Sequence, residues 1–448
     1  EGEEVLVAPG TYTELLDFGG KAITVASSDG APSTIIDGSG AGDNLVTFDD
    51  GEGEDSVLRG FTLRNGRERA VYVASSGPSL EELVIDEAGA YGTGNGLYVT
   101  GGTPTLSAST FSGLEATTGS DVYLDATSTV VIDGCTFDDG TSYYGAIYVD
   151  GGTLTLTDST VSNHWSRYGG ALKLANGAVA TVVDTDFDTN RGYVNVGAAI
   201  QVSTGSSLTV EGGTFAWNWP DYGSYYASTG GAVLVHGTAE VRDATFEHNG
   251  GGYGAGAAVS GATASLTVID ARFEANGGYG GRGLSVTSSA TLVVTGSTFV
   301  SNDSTWPAWG AAIRANAAGS VHVSDSTFCD GYATDGGAIW AYATPEVSLT
   351  NNRFHENVAT EEGGAVWLGG VTTASIVNNT FAGNEAVTGG AVYLSATAPT
   401  FTNNLVASTV AGAGLYDASG LAASSTLTYN LWYDNLAADA GGALTAAD

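Results

Sequence analysis

The sequence predicts an all-β protein, a right-handed, single-stranded parallel β-helix of about sixteen coils of 24–31 residues with three short strands per coil. Three observations predict it. A large apolar residue returns every 24–31 residues, a Gly-Gly-Ala-aliphatic unit returns in step with it, and helical spacing of apolar residues is found nowhere.

The first series runs Phe61, Ile85, Phe111, Phe137, Val161, Phe187, Phe215, Phe246, Phe273, Phe299, Phe328, Phe354, Phe381, Leu405 and Leu431. A second apolar position stands five residues earlier, from Leu106 and Ile132 to Leu349 and Ile376. The third follows the glycine corner, as in Gly169–Leu172, Gly230–Val233, Gly336–Ile339, Gly363–Val366 and Gly389–Val392. Each coil thus offers three alternating stretches separated by Gly, Asn, Asp or Thr, the pattern of three brief strands joined by turns. Equivalent strands of successive coils would pair and bury one apolar column per face. Glycine permits the positive φ of a sharp corner, and alanine follows where stacked corners leave little volume. Asn stands three residues after Phe in seven coils, from Asn190 to Asn384, and two before it at Asn352, Asn379 and Asn403. Both sets are expected to be structural ladders, since Asn tolerates left-handed φ and bonds neighbouring backbone.

No composition break marks a linker, so residues 1–448 read as one domain, with 1–60 as divergent first coils and 61–448 as regular repeats. The expected amphipathic cap is missing at the first strand, and no cap is seen after Gly441, so both terminal edges are expected to be unpaired. Cys135 and Cys329 lie about seven coils apart on this register, too far for a disulfide.

Acidic residues number 49 against 13 basic ones, a formal charge of −36. That balance argues against a nucleic-acid partner and against an anionic membrane surface. No run approaches 18 apolar residues, so membrane insertion is not expected. The acidity suits a solvated surface, a calcium-rich medium or high salt.

The Phe-x-x-Asn and Gly-Gly-Ala-aliphatic units of residues 160–445 resemble the repeats of the chlamydial polymorphic outer-membrane proteins and of bacterial β-helix surface proteins. The opening, VLVAPGTYTELLDFGGKAITVASSDGAPSTIIDG at 5–38, resembles the first coils of pectin-lyase-like β-helix proteins. The resemblance implies secreted or surface-anchored passengers and adhesins. The pectin-lyase-like fold also hosts lyases, hydrolases and esterases of acidic polysaccharides, so an enzyme must be sought in residues rather than in the fold.

The dense basic group Arg59, Arg64, Arg67 and Arg69 lies beside Asp49, Asp50, Glu52, Glu54 and Asp55 and reads as a solvated charged loop. The Asp-Asp pairs at 49–50 and 138–139 lack neighbouring Gly-His-Gly or Arg-x-Lys segments, and the five histidines are scattered, which excludes a zinc pattern. Calcium is the metal worth weighing: Asp158, Asp184, Asp243 and Asp270 precede the Phe series by three, on two pairs of consecutive coils. Stacked carboxylates repel unless they share a cation or accept bonds from their own turns.

Aromatic residues are the stronger lead. The outward position after the glycine corner carries Tyr72, Tyr98, Tyr123 and Tyr148 near one end and Trp340, Trp367, Tyr393 and Tyr416 near the other. The longer loops between Phe and the corner carry Trp165, Tyr168, Trp217, Trp219, Tyr222, Tyr225, Tyr226, Trp306 and Trp309. Such residues pack against each other or take a glycan or protein partner.

The expected function is therefore a non-catalytic extracellular structural protein, a cell-surface fibre or sheath subunit or an adhesin rod. Its partner would be a second copy or a cell-surface glycan or protein, with no cofactor required. A carbohydrate-binding module using the aromatic loop corner is one alternative, and a polysaccharide lyase or hydrolase another.

Overall fold

The computed structural model describes residues 2–39, 44–86, 92–193, 196–220, 230–302, 309–420 and 425–442. It is an all-β parallel solenoid of about fifteen turns with three sheets and no helix among the described residues. Contacts divide the chain into two units, Glu1–Thr214 and Phe215–Asp448.

In unit 1 the first sheet runs from Glu3–Val7 to Ser207–Glu211, the second from Gly10–Tyr12 to Asp186–Asp188, and the third from Leu16–Asp17 to Ile200–Val202. A shorter ladder, from Gly92–Thr93 to Arg191–Gly192, forms on the corner between the second and third sheets. In unit 2 the first sheet runs from Thr238–Arg242 to Thr426–Thr428, the second from Thr245–Glu247 to Leu431–Tyr433, and the third from Val233–Val235 to Ala438–Gly442. The matching corner carries two strand pairs, Gly250–Tyr253 with Gly277–Gly280 and Tyr332–Asp335 with Val358–Glu362.

The second sheet explains why Phe recurs. In unit 2 the rings of Phe215, Phe246, Phe273, Phe299, Phe328, Phe354 and Phe381 stack one per coil at 4.6–4.9 Å, all essentially buried. Strand spacing is about 4.8 Å, so equivalent rings meet face to face, and each buried Phe is worth roughly 1.5–3 kcal/mol. Asn218, Asn249, Asn276 and Asn302 stack beside them: each Oδ1 after the first accepts both the backbone N–H and the side-chain N–H of the Asn one coil earlier, at 3.0–3.2 Å. The Nδ2 of Asn249 and of Asn276 also donates to the Phe carbonyl one coil back. Arg282, fully buried, donates from Nη1 to the carbonyls of Asn302 and Tyr332 at 2.8 Å.

Register moves three positions by one or two residues. The column begins Ile36, Leu63 and Ile85 rather than with Phe61, and it ends Val406 and Trp432 rather than Leu405 and Leu431. A one-residue slip sends a strand's side chains to the opposite face, and Leu431 is indeed 62% exposed. The second Asn ladder accordingly reads Asn352, Asn379, Asn404 and Asn430, not Asn403. On the third sheet Ala258 lies between Leu234 and Ser285. Both cysteines are free thiols.

Candidate functional site

The site is built by one short motif used four times in unit 2. The first glycine of each corner, Gly310, Gly336, Gly363 and Gly389, has φ of +62° to +67°. A Cβ on Gly336 or Gly363 would strike the carbonyl of Ile339 or Val366, so no other residue fits there. The residue just before each corner lies in one row: Trp309 bridges Asp335, Asp335 pairs with Glu362, and Glu362 bridges Thr388. Five residues on, beyond the corner, the third sheet aligns Arg314, Trp340, Trp367, Tyr393 and Tyr416. Row and ladder therefore face each other across the corner.

Chemistry follows from that juxtaposition. Glu362 Oε2 accepts the Trp367 indole N–H at 2.9 Å and also the Tyr393 hydroxyl. Burial, then the Glu362 bond, push the Tyr393 hydroxyl up to about 12. Asp335 is raised to about 6, first by burial and then by the charges of Glu362 and Glu361, although the Trp309 indole and the Glu362 backbone N–H reach its carboxyl. Its Oδ1 is buried with no partner among the described residues. Two carboxyls on adjacent coils, one of which keeps its proton towards neutral pH, are the parts of an acid–base pair. Arg314 is held between the rings of Tyr253 and Trp340, at 4.3 and 5.5 Å, and burial lowers its pKa. Exposed rings border the site: Trp309 is 39% and Tyr342 49% accessible.

Along the aromatic stripe the rings pack against each other, one of the two arrangements the sequence left open. Trp340, Trp367, Tyr393 and Tyr416 stack on one another at 5.3–6.2 Å, so their faces are occupied, and Trp340 and Tyr393 are nearly buried. Only edges are offered along this ladder, because equivalent residues of successive coils must stack. Trp217, at φ +54° and half exposed, lies flat on His248 at 4.6 Å, and the Trp219 ring covers Gly250. Trp165 and Tyr168 belong to unit 1, where Tyr168 is exposed. Tyr222, Tyr225, Tyr226 and Trp306 fall outside the described residues.

Asp158, Asp184, Asp243 and Asp270 all occupy exposed left-handed corners, with φ of +44° to +53°. Gly134, Gly212, Gly296, Asn351 and Asn378 take the same conformation in other coils, so tolerance of positive φ accounts for the acidic series. Among the described residues a different trio, the exposed Asp17, Asp49 and Asp50, brings carboxyl oxygens within 4.8 Å of one another. The basic group is paired: Arg59 with Glu4 and Glu81, Arg64 with Asp37, and Arg69 with Glu68.

Asp335 and Glu362 escaped the sequence reading, as did His164. The signal for the first two was present, since Asp-Gly-Gly-Ala-Ile-Trp and Glu-Gly-Gly-Ala-Val-Trp repeat one acid at one offset from one Trp. His164 occupies the Asn-ladder position of its coil, three after Val161. Its Nδ1 accepts the Gly140 N–H at 3.0 Å, and its Nε2 lies 3.4 Å from Asp121 Oδ2, with both side chains 1% exposed.

Among solved structures the chain is similar to a PL6 family alginate lyase, AlyGC, at 9% identity over 96% of this chain and 97% of that one, with a TM-score of 0.23. An arginine-to-alanine mutant of the same lyase is similar at 10% identity, with the same coverage and a TM-score of 0.24. Both bear the name of an alginate lyase, which does not support the expectation of a non-catalytic fibre, sheath subunit or adhesin rod, and that expectation is not carried further. At these TM-scores the likeness carries no argument about this chain. No curated protein matches the chain. The family model described as "Right handed beta helix region" matches residues 48–215, 145–328 and 309–431. With well over half of its length matched, the chain belongs to the right-handed β-helix family.

Proposed function

We propose that unit 2 binds a polysaccharide across the glycine corner and cleaves it, with Asp335 as proton donor and Glu362 as the second carboxyl. The observation that carries this reading is the Asp335–Glu362 pair, in which burial and like charge hold a proton on Asp335 while Trp367 and Tyr393 bond Glu362. Glycoside hydrolysis needs one protonated and one ionised carboxyl flanking the bond. Elimination from a uronate needs instead a base, a proton donor and a cation near the substrate's carboxylate, and Arg314 is the cation in this ladder. The exposed Trp309 and Tyr342 rings would hold sugars beside the pair. A polysaccharide of that kind would be met outside the cell or at its surface.

The test is incubation of the full chain with a panel of neutral and acidic polysaccharides, reading reducing ends and the ultraviolet absorbance of unsaturated ends. Reducing ends alone mean hydrolysis, and unsaturated ends mean elimination. Product of neither kind across the panel, or product undiminished in Asp335→Asn and Glu362→Gln, overturns the reading.

A further inference from the structure

Unit 1 carries a second surface of different chemistry. Tyr143, Tyr144, Tyr168 and Tyr193 are exposed on the corner that follows the short strands Thr141–Ser142, Trp165–Ser166 and Arg191–Gly192. The register of those strands puts Tyr143, Arg167 and Tyr193 one above another on successive coils. The Arg167 guanidinium accordingly lies 5.5 and 5.8 Å from the Tyr143 and Tyr193 ring centres, and 5.3 Å from that of Tyr168. Lys173 follows beyond the corner, its Nζ 5.2 Å from the Tyr144 ring and donating to the Tyr168 carbonyl at 2.6 Å.

In a chain with 49 acidic and 13 basic residues, carboxylates for pairing are plentiful. Arg59, Arg64 and Arg69 of the same unit each have one within 4 Å. Arg167, Arg191 and Lys173 form no ion pair with a carboxylate among the described residues. Arg167 and Lys173 against exposed tyrosine rings, with Arg191 on the next coil, make a cationic and aromatic patch on a strongly acidic molecule. We propose that this corner binds a polysaccharide chain bearing regularly spaced carboxylate or sulfate groups.

Ring chemistry favours a glycan over an acidic polypeptide. Arg191 pairs with Trp165 of the preceding coil, so it stands one coil on from Arg167 and two residues out of its row. Tyrosine rings add contact with sugar C–H faces, and their stacking on Arg167 fixes the guanidinium without cancelling its charge. Burial lowers Lys173 to about 8, so it still carries charge at neutral pH and loses it as the pH passes 8. Binding here is independent of cleavage in unit 2 and stands whether or not Asp335→Asn alters any activity.

The experiment measures affinity of the full chain for polygalacturonate, dextran sulfate, uncharged dextran and polyglutamate at low salt. Wild type is compared with Arg167→Ala/Arg191→Ala, each checked for far-ultraviolet circular dichroism and melting. Binding to either charged glycan, absent for dextran and weakened at least tenfold in the double variant, is the expected result. Whichever charged glycan binds identifies carboxylate or sulfate as the recognised group. Binding to neither, equal affinity of the double variant, or equal affinity for polyglutamate overturns the proposal. Should the double variant fail to fold, Arg191→Gln at its exposed position and a wild-type series from pH 7 to pH 9, expected to weaken through 8, decide the matter.

Discussion

Asp335→Asn is the substitution that separates an acid–base pair from a decorative one. Asparagine keeps the shape and an acceptor for the Trp309 indole but carries no transferable proton. With Asp335 at about 6, the protonated fraction is about 0.9 at pH 5 and about 0.1 at pH 7, so wild-type kcat should fall about tenfold between them. Removing a positioned general acid costs roughly 10²–10⁴ in rate, so the variant should lose at least a hundredfold at pH 5, with a flatter profile above it. Glu362→Gln deletes one of the charges that raise Asp335 and should move the falling limb to lower pH, though burial, the larger cause, remains. A check without substrate follows from linkage. A carboxyl raised in the folded state binds its proton more tightly there, so stability falls as pH rises from about 4 through 6 and stays lowered above. Asp335→Asn should therefore unfold at higher urea than wild type at pH 7 and near the wild-type midpoint at pH 4. A variant retaining a tenth of the rate at pH 5, or wild-type activity climbing through pH 6, would refute the assignment.

Asn276→Ala leaves the Asn249 backbone N–H and Nδ2, the Phe246 carbonyl and Asn302 Oδ1 short of a partner in a buried ladder, and should cost about 3–5 kcal/mol in urea unfolding. His164→Asn keeps an acceptor for the Gly140 N–H but strands the buried Asp121; the double variant His164→Asn/Asp121→Asn should recover much of a loss of about 3–5 kcal/mol, as a double-mutant cycle would measure. Gly363→Ala must hold φ near +67° against the Val366 carbonyl; it should lower the melting temperature and displace Glu362, so any glycan-cleaving rate falls more than the folded fraction does.

What the sequence made legible was whatever repeats in every coil. The Phe column, the Asn ladder and the glycine corner must recur because each coil can satisfy its core only against its neighbours, and recurrence exposes them. Even so, Phe61 and Leu405 were placed one residue or more off the column, since a slip at an irregular coil leaves the composition of the strand almost unchanged. The outward ladder, from Trp340 to Tyr416, was legible together with the packing of its rings on one another, but how far Trp340 and Tyr393 are buried depends on neighbouring coils rather than on one. Asp335 and Glu362 were hidden for the opposite reason: they occur in two coils only, and a chain so rich in carboxyls gives no contrast until burial and register pick out a pair.

The same i, i+5 device serves both units, and that bears on how such a solenoid acquires chemistry. Lys173 lies against the Tyr168 carbonyl across a corner of unit 1, while Glu362 bonds Trp367 across a corner of unit 2. The residue before the corner glycine and the first outward residue after it are two positions that contribute neither to the Phe stack nor to the Asn ladder. Where they are exposed, as at Tyr168, exchanging them costs little stability, since surface substitutions away from caps and cores usually cost within about 0.5 kcal/mol. Aromatic and cationic choices there make a corner suited to anions, and acidic choices beside tryptophan make one that holds a proton. If that is the governing logic, Asp335→Tyr, copying Tyr168 at a half-buried position, should leave the melting temperature within a few degrees of wild type while abolishing cleavage at the unit 2 corner. A large loss of stability would show instead that the acidic pair is part of the fold's own packing.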